Sequence, residues 1–253
     1  MDAGRRNAEG EGTMIEQGSE AWRLLRVGKV SASRMADLLA KTKTGFSASR
    51  AKYMAQLLCE RMTGQPTEFF TTPAMQRGTI IEPLARQAYE AHNLTSVEQI
   101  AWVEHPTIPF SGCSPDGFVG EHGLIEIKCK EIHNHFDTIL SDRIDPDHQA
   151  QMMWQMACTG RQWCDYVCFD DRAPEGLQLF IKRLERNEEL IKQMEDEVRK
   201  FLKELQEDFP KWIERDGYKN AANTETCPIG EKDFDAIVQR IKRLSINPMY
   251  SPT

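Results

Sequence analysis

The chain has 253 residues, of which 40% are hydrophobic and 28% charged, with a formal net charge of −7; this is the balance of one sizeable globular domain with room for small appendages. No apolar run approaches the ~20 residues a membrane span requires, and the Gly-, Glu- and Arg-rich start, Met1 to Thr13, has no apolar core of a secretory signal and reads as a disordered extension. The acidity excludes a chain that coats nucleic acid by bulk attraction, but not one with a local basic groove, because the acids concentrate after residue 185.

In chain order, Ser31-Ala32-Ser33 supplies hydroxyl caps for a helix over Arg34–Ala40. A second helix spans Ser49–Arg61, with Tyr53, Met54, Leu57 and Leu58 as its apolar positions, and Thr63-Gly64-Gln65-Pro66 ends it. Pro73 suits the first turn of a third, which runs to about His92. The period then switches to two, and Ser96–Val103, Ser114–Val119 and Gly123–Lys128 read as strands. Helix returns over Asp147–Thr159. Two strands follow, Trp163–Phe169 and Leu177–Leu184, on either side of a turn that begins at Asp170 and ends at Gly176. Asn187–Leu205 is a long amphipathic helix with Leu190, Ile191, Met194, Val198, Phe201, Leu202 and Leu205 on one face. Beyond it the pattern weakens to a short helix near Phe234–Leu244, and no repeats occur. This order implies an α/β core with a mixed central β-sheet flanked by helices on both faces. It divides the chain into an extension over 1–13, a domain over 14–207 and a C-terminal extension over 208–253 whose role has no signal.

Two stretches carry the chemistry. Ser114-Pro115-Asp116-Gly117 places an acid at a turn, and Leu124-Ile125-Glu126-Ile127-Lys128-Cys129 is a strand. Alternation puts Glu126 and Lys128 on one face and Ile125 and Ile127 on the other, in the core. A buried strand that spends two same-face positions on charges needs a reason, since unpaired buried charge is costly. A divalent metal supplies one: Asp116 and Glu126 offer oxygens, and Lys128 can orient a water and help deprotonate it. That is phosphodiester hydrolysis, and the pattern is the PD-(D/E)xK nuclease signature. Taken alone, the same residues also fit an ordinary hairpin with a solvated Glu-x-Lys face. The seven cysteines lie among apolar neighbours and read as small buried residues of a reducing cytoplasm. A four-cysteine iron–sulfur cluster from Cys59, Cys158, Cys164 and Cys168 is the weaker alternative, because no tight Cys-x-x-Cys occurs.

The wider chain decides between these readings. Glu16 to Ser33 (with Trp22, Arg26, Gly28 and Ser31), Arg77-Gly78-x-x-x-Glu82, Gly112 to Gly117, Glu126 to Cys129, and Gln149-Ala150-Gln151 form five ordered motifs. Together, over roughly Glu16 to Leu184, they resemble the phage lambda exonuclease and YqaJ-like viral recombinase family. The resemblance implies a restriction-endonuclease-like core and a Mg²⁺-dependent 5′→3′ exonuclease, with two ions and Mn²⁺ as a substitute. The expected substrate is double-stranded DNA ends, left with 3′ single-stranded tails for phage-type recombination. It also implies a homotrimer, a single-strand annealing protein as partner, no membrane, and the cytoplasm of a bacterial host.

The implied roles fall on named residues. Asp116, Glu126 and the carbonyl of Ile127 match the metal ligands, with Glu82 in support, Lys128 as the catalytic lysine and Gln151 as the motif glutamine. Arg26, Ser33 and Ser114 match the 5′-phosphate pocket. Each has a plainer alternative: Glu82 paired with Arg86 at i+4, Gln151 as a polar helix residue, Arg26 as a surface loop cation. Trp22 reads as core, and Lys41 and Lys43 as DNA-backbone contacts or a solvated loop. Where the family often has tyrosine, three before the glutamine, this chain has His148. The competing functions are a structure- or site-specific endonuclease on the same fold, and a non-catalytic DNA-end binder.

Overall fold

The computed structural model describes residues 15–43, 45–67 and 71–215. Chain order begins with α1 (Glu20–Leu25), β1 (Val30–Ser31), a 3-10 turn (Ala32–Arg34) and α2 (Met35–Leu39). A small hairpin, β2 (Lys41–Thr42) and β3 (Gly45–Phe46), precedes α3 (Ala48–Thr63) and α4 (Pro73–Asn93). Five short strands follow: β4 (Val97–Glu98), β5 (Val103–Glu104), β6 (Ser111–Cys113), β7 (Gly117–Val119) and β8 (Gly123–Lys128). Then come α5 (Ile132–Ser141), α6 (Pro146–Thr159), β9 (Trp163–Phe169), β10 (Leu179–Glu185) and α7 (Glu188–Arg215).

Local chemistry sets the helix ends. Ser47 caps α3 by accepting from the Arg50 amide at 3.2 Å, and Gly64 closes it at φ 67°, a conformation glycine adopts without a Cβ clash. Thr72 caps α4, with Pro73 in its first turn where no N–H is needed. Asp145 and Pro146 do the same for α6.

The main sheet has the order β10-β9-β8-β7-β4, mixed because β8 and β9 run parallel and the other pairs antiparallel. A three-stranded sheet, β1-β6-β5, stands beside it. Helix α4 covers one face of the main sheet, where Ile81, Ala85 and Tyr89 pack on Val119, Ile125, Ile127, Val167 and Phe169. On the other face Leu124, Cys164, Tyr166 and Cys168 meet α6, with α2, α3 and α7 beyond it. The sheet is thus sandwiched as its pattern implies.

Several expectations are corrected. The strand expected at Ser96–Val103 is two strands in different sheets. Its middle is pulled off the ladder because side chains take its carbonyls: Gln17 Nε2 donates to Ile100 O at 2.7 Å, and Trp22 Nε1 and Ser114 Oγ donate to Ala101 O at 3.0 and 2.6 Å. The strand expected from Ser114 begins only at Gly117, since Pro115 lacks an amide and its carbonyl accepts from Gln17 at 2.8 Å. Helix α5 was not legible, because its buried positions are His135 and Thr138 rather than hydrophobics. Both are satisfied: His135 Nε2 pairs with Leu177 O at 2.7 Å, and Lys130 Nζ donates to Thr138 Oγ1 at 3.1 Å. Helix α7 runs on past its expected end at Leu205, and Leu190, expected on its apolar face, is exposed. The helix expected near Phe234–Leu244 lies outside the described residues.

Candidate active site

Strand β8 delivers the acid and the lysine. Glu126 is buried at 1% exposure, on the face turned to α6. A lone carboxylate there would be severely destabilising, so its partners are informative. Glu126 Oε1 accepts from Lys128 Nζ and, at 2.6 Å, from Gln151 Nε2; its Oε2 accepts from Gln155 Nε2. Lys128 Nζ also donates to Gln151 Oε1 at 3.3 Å. Gln151 and Gln155 are one turn apart on α6 and share a face. Gln155, fully buried, was missed in the sequence, although the i,i+4 glutamine pair was its signal.

The turn before β7 delivers Asp116, whose Oδ2 accepts from the amide of Ile127 at 2.6 Å. Asp116 is thereby tied to the residue whose carbonyl is the expected third ligand. Burial, then the charges of Glu126 and Glu82, push the Asp116 carboxyl well above the usual carboxylate range. Burial pulls the Lys128 ammonium down, but Glu126 and Asp116 outweigh it and hold its pKa above the ordinary value.

Glu82 stands at the rim on α4. Its Oε1 accepts from Arg86 Nη2 at 2.6 Å, so the i,i+4 pair is present. Burial and then the opposed pulls of Arg86 and Glu126 leave its pKa raised. It feels Glu126 and Lys128 electrostatically but makes no hydrogen bond to either.

The second cluster joins α1, β1 and the Asp116 turn. Trp22 is half-buried rather than core, because its indole N–H must reach polar partners: it donates to Ser114 Oγ at 2.9 Å and to Ala101 O. The Arg26 guanidinium lies 4.0 Å from the Trp22 ring centroid and donates to Ser33 Oγ at 3.5 Å. Arg26 makes no ion pair among the described residues, and its buried Nε has no hydrogen-bond partner. Burial lowers its pKa, with Tyr53 and Glu60 pulling the other way. The structure therefore brings Arg26, Ser33 and Ser114 to one place, with Trp22 as the joint. Lys41, by contrast, is engaged with Glu197 on α7 at 2.8 Å.

His148 stands on α6, three residues before Gln151. Its ring stacks on Tyr166 at 5.5 Å, and its Nδ1 lies 3.3 Å from the Tyr166 hydroxyl. Burial, then Lys128 and Lys130, push its pKa down to about 4.

Among the described residues no three His, Cys, Asp or Glu side chains converge as a ready cation group, which also separates the cysteines weighed for an iron–sulfur cluster. The hard-oxygen set available is two carboxylates and a backbone carbonyl. Burial and then the acidic neighbours push the Asp116 carboxyl up, a strain a bound cation would relieve, and an all-oxygen donor set fits Mg²⁺ rather than a softer metal.

A mixed sheet carrying an acid–acid–lysine cluster on adjoining strands defines a nuclease-type α/β fold, and comparison with known proteins agrees. Residues 21–162 match the model of the YqaJ-like viral recombinase domain, and the chain belongs to that family. The crystal structure of an alkaline exonuclease from Laribacter hongkongensis is similar, at 44% identity and a TM-score of 0.73 over 81% of this chain and all of that one. A complex of the same exonuclease with dAMP gives 45% identity and the same TM-score over 81% and 98%. A phage-related exonuclease from Haemophilus somnus shares the fold at 14% identity, TM-score 0.58, over 76% and 97%. No curated protein matches the chain.

Proposed function

We propose that this protein is a Mg²⁺-dependent exonuclease that degrades one strand of linear duplex DNA from its 5′ end, leaving 3′ single-stranded tails. The observation that carries this reading is the physical link between the two clusters. Ser114, two residues before Asp116, is hydrogen-bonded to the tryptophan on which the unpaired Arg26 rests. A cation with no internal anion, hung on the turn that carries the catalytic acid, suits a terminal phosphate. Arginine forks onto phosphate oxygens, the Ser33 hydroxyl adds a neutral donor, and Ser114, whose own proton goes to Ala101 O at 2.6 Å, holds Trp22 in place. An endonuclease has no use for such a pocket.

Asp116, Glu126 and the Ile127 carbonyl would hold Mg²⁺, with Glu82 in support, and two ions or Mn²⁺ can be served by the same oxygens. The metal supplies polarisation of the scissile phosphate and an acidified water. The protein's own share is positional. Gln151 and Gln155 hold Glu126 in one orientation. Lys128 stays an ammonium between Glu126 and Gln151, where it orients a water and offsets charge that develops on the phosphate.

The neighbour crystallised with dAMP, a mononucleotide, is consistent with release of single nucleotides here. The homotrimer, the annealing partner and the bacterial cytoplasm belong to the same proposal and rest on the family resemblance. Among the described residues no helix is long and apolar enough to cross a membrane.

The test is digestion in Mg²⁺ of linear, nicked and closed-circular duplexes, with 5′-phosphate or 5′-hydroxyl ends, and again in EDTA. Fast loss of 5′-phosphorylated linear DNA, slow loss of 5′-hydroxyl ends, intact circles and no activity in EDTA are expected. Circles cut as fast as linear DNA would favour the endonuclease.

A further inference from the structure

Glu60, near the end of α3, is a buried carboxylate outside the acid cluster, at 6% exposure. A carboxylate withdrawn from water is tolerated only when donors replace the water, and here all of them are neutral. Its Oε2 accepts from the Gly28 amide at 2.8 Å, and its Oε1 from Gln56 Nε2 at 2.8 Å and the Thr67 amide at 3.3 Å. Gln56 and Thr67 are local, whereas Gly28 is 32 residues away in the chain. The next residue, Arg61, takes the other polar group of Gly28: its Nε donates to Gly28 O at 2.8 Å. The rest of that guanidinium lies 4.8 Å from the Phe110 ring centroid, and its buried Nη2 has no hydrogen-bond partner. Gly28 is thus gripped at its N–H and its C=O by consecutive residues of one helix. It sits at φ 67°, and a Cβ there would come within 2.6 Å of Arg61 Cγ, so both the conformation and the contact need glycine.

Gly28 is also the bend of the segment that carries two of the phosphate-pocket residues. The Lys29 amide donates to Arg26 O at 3.1 Å, which closes a turn around it. Past the bend, the Ser31 amide donates to the Tyr53 hydroxyl at 2.9 Å, and Ser31 Oγ lies 3.3 Å from Ser33 Oγ. Tyr53 and Glu60 are two turns apart on α3 and share a face. One helix face therefore holds the segment at its bend and at its second limb. The limbs meet where Arg26 Nη2 donates to Ser33 Oγ at 3.5 Å. Burial lowers the Arg26 pKa, and Tyr53 and then Glu60 oppose it, so the guanidinium feels Glu60 although that carboxylate is engaged elsewhere.

We infer that Glu60 and Arg61 are positioning residues for the terminal-phosphate pocket: by gripping Gly28 they fix Arg26 and Ser33 relative to each other, and this sets the preference for a 5′-phosphorylated end. The inference rests on the exonuclease reading and deepens it. A guanidinium fork gains its advantage over a point charge only when both of its N–H groups meet phosphate oxygens. A displacement of about 1 Å is enough to lose that geometry. With the backbone beneath Arg26 held in place, less of the side chain's freedom remains to be lost on binding.

The experiment measures kcat and KM in Mg²⁺ on linear duplexes ending in 5′-phosphate or 5′-hydroxyl, with melting temperatures, for the full chain and for Glu60→Leu, Glu60→Gln and Arg61→Met. Glu60→Leu and Arg61→Met are expected to raise KM for the 5′-phosphorylated duplex about tenfold, the scale of one charge-assisted contact. Their kcat and their rates on 5′-hydroxyl ends should move little, so the preference between the ends narrows. Glu60→Gln keeps an acceptor for the Gly28 amide and is expected to keep the preference. An unchanged preference in both Glu60→Leu and Arg61→Met would overturn the inference. So would equal losses on both end types that follow the melting temperature, the mark of a plain scaffold, or a Glu60→Gln protein as impaired as Glu60→Leu. If Glu60→Leu does not fold, Arg61→Met, which leaves Glu60 in place, decides. The unsubstituted protein judges the parent reading separately: equal rates on its two end types defeat the pocket and the grip with it, whereas a preference that the variants leave intact defeats the grip alone.

Discussion

The acid cluster and the arginine cluster treat charge in opposite ways. Around β8 the acids are held in place by donors from within, although they still repel one another: Glu126 takes donors from Lys128, Gln151 and Gln155, and Asp116 takes the Ile127 amide. Around Gly28 the arginines have aromatic neighbours and hydroxyls but no carboxylate partner, and Arg26 Nε and Arg61 Nη2 are buried without acceptors. A site whose acids are fixed in orientation by their own donors is preorganised for a transition state. A site with cations left over is prepared for an anion from outside. On the proposed function, turnover belongs to the first region and recognition of the DNA end to the second.

The sharpest way to break this contrast is to remove an acid. Asp116→Ala and Glu126→Gln are expected to lower turnover by at least about a thousandfold, about 4 kcal/mol of barrier, with the fold preserved by circular dichroism. Near-normal hydrolysis in either variant would remove the acid pair from the chemistry. Lys128→Ala should lower turnover by about 10²- to 10⁴-fold with little change in DNA affinity, because its work belongs to the transition state. Weaker binding at unchanged turnover would instead place Lys128 with the recognition region.

Arg26→Ala probes the other side. It should erase most of the preference for 5′-phosphorylated over 5′-hydroxyl ends, a loss of about ten- to a hundredfold, or about 1.5–3 kcal/mol for one charge-assisted contact. Rates on the two end types, before and after substitution, measure it. A preference that survives intact would detach the pocket from Arg26.

Gln155→Leu sharpens the claim that Glu126 is held by donors from α6. The change keeps volume but leaves a buried carboxylate oxygen of Glu126 without its donor, which should cost about 1–3 kcal/mol of stability. Urea midpoints read the loss, and an unchanged midpoint would mean that Gln155 does not support Glu126.

The smallest effect concerns pH. His148 has its pKa lowered from 6.5 to about 4 in the folded chain. Between those values the unfolded chain binds the extra proton and the folded chain does not, so this group's stability is present above 6.5 and is lost as pH falls towards 4. Unfolding midpoints at pH 7 and near pH 4.5 should differ less in His148→Phe, which keeps the stack on Tyr166. An equal difference would show that His148 does not carry the slope.

Some of this was readable in one dimension because the determining interactions are local. Gly64, Thr72-Pro73 and Asp145-Pro146 act within a turn of themselves, so α3, α4 and α6 were placed nearly to the residue. The strict alternation Ile125-Glu126-Ile127-Lys128 showed which face would carry charge. The motifs around Asp116 and Glu126 were visible as residue types that a buried strand does not otherwise tolerate. What the sequence by itself determined, then, was the α/β class, the main helices and the acid–lysine strand, all governed by periodicity and capping. Only the tertiary structure decided the rest. It broke the expected strand at Ser96–Val103, because Gln17, Trp22 and Ser114 reach across about 80 or more residues for its carbonyls or, in the case of Ser114, 13. It turned Trp22 from core into the joint beneath Arg26, hid α5 behind a buried histidine and threonine, and brought Gln155 onto Glu126. Hydrogen bonds between distant segments leave no period in the chain, so such contacts become visible only when folding closes the loops between them.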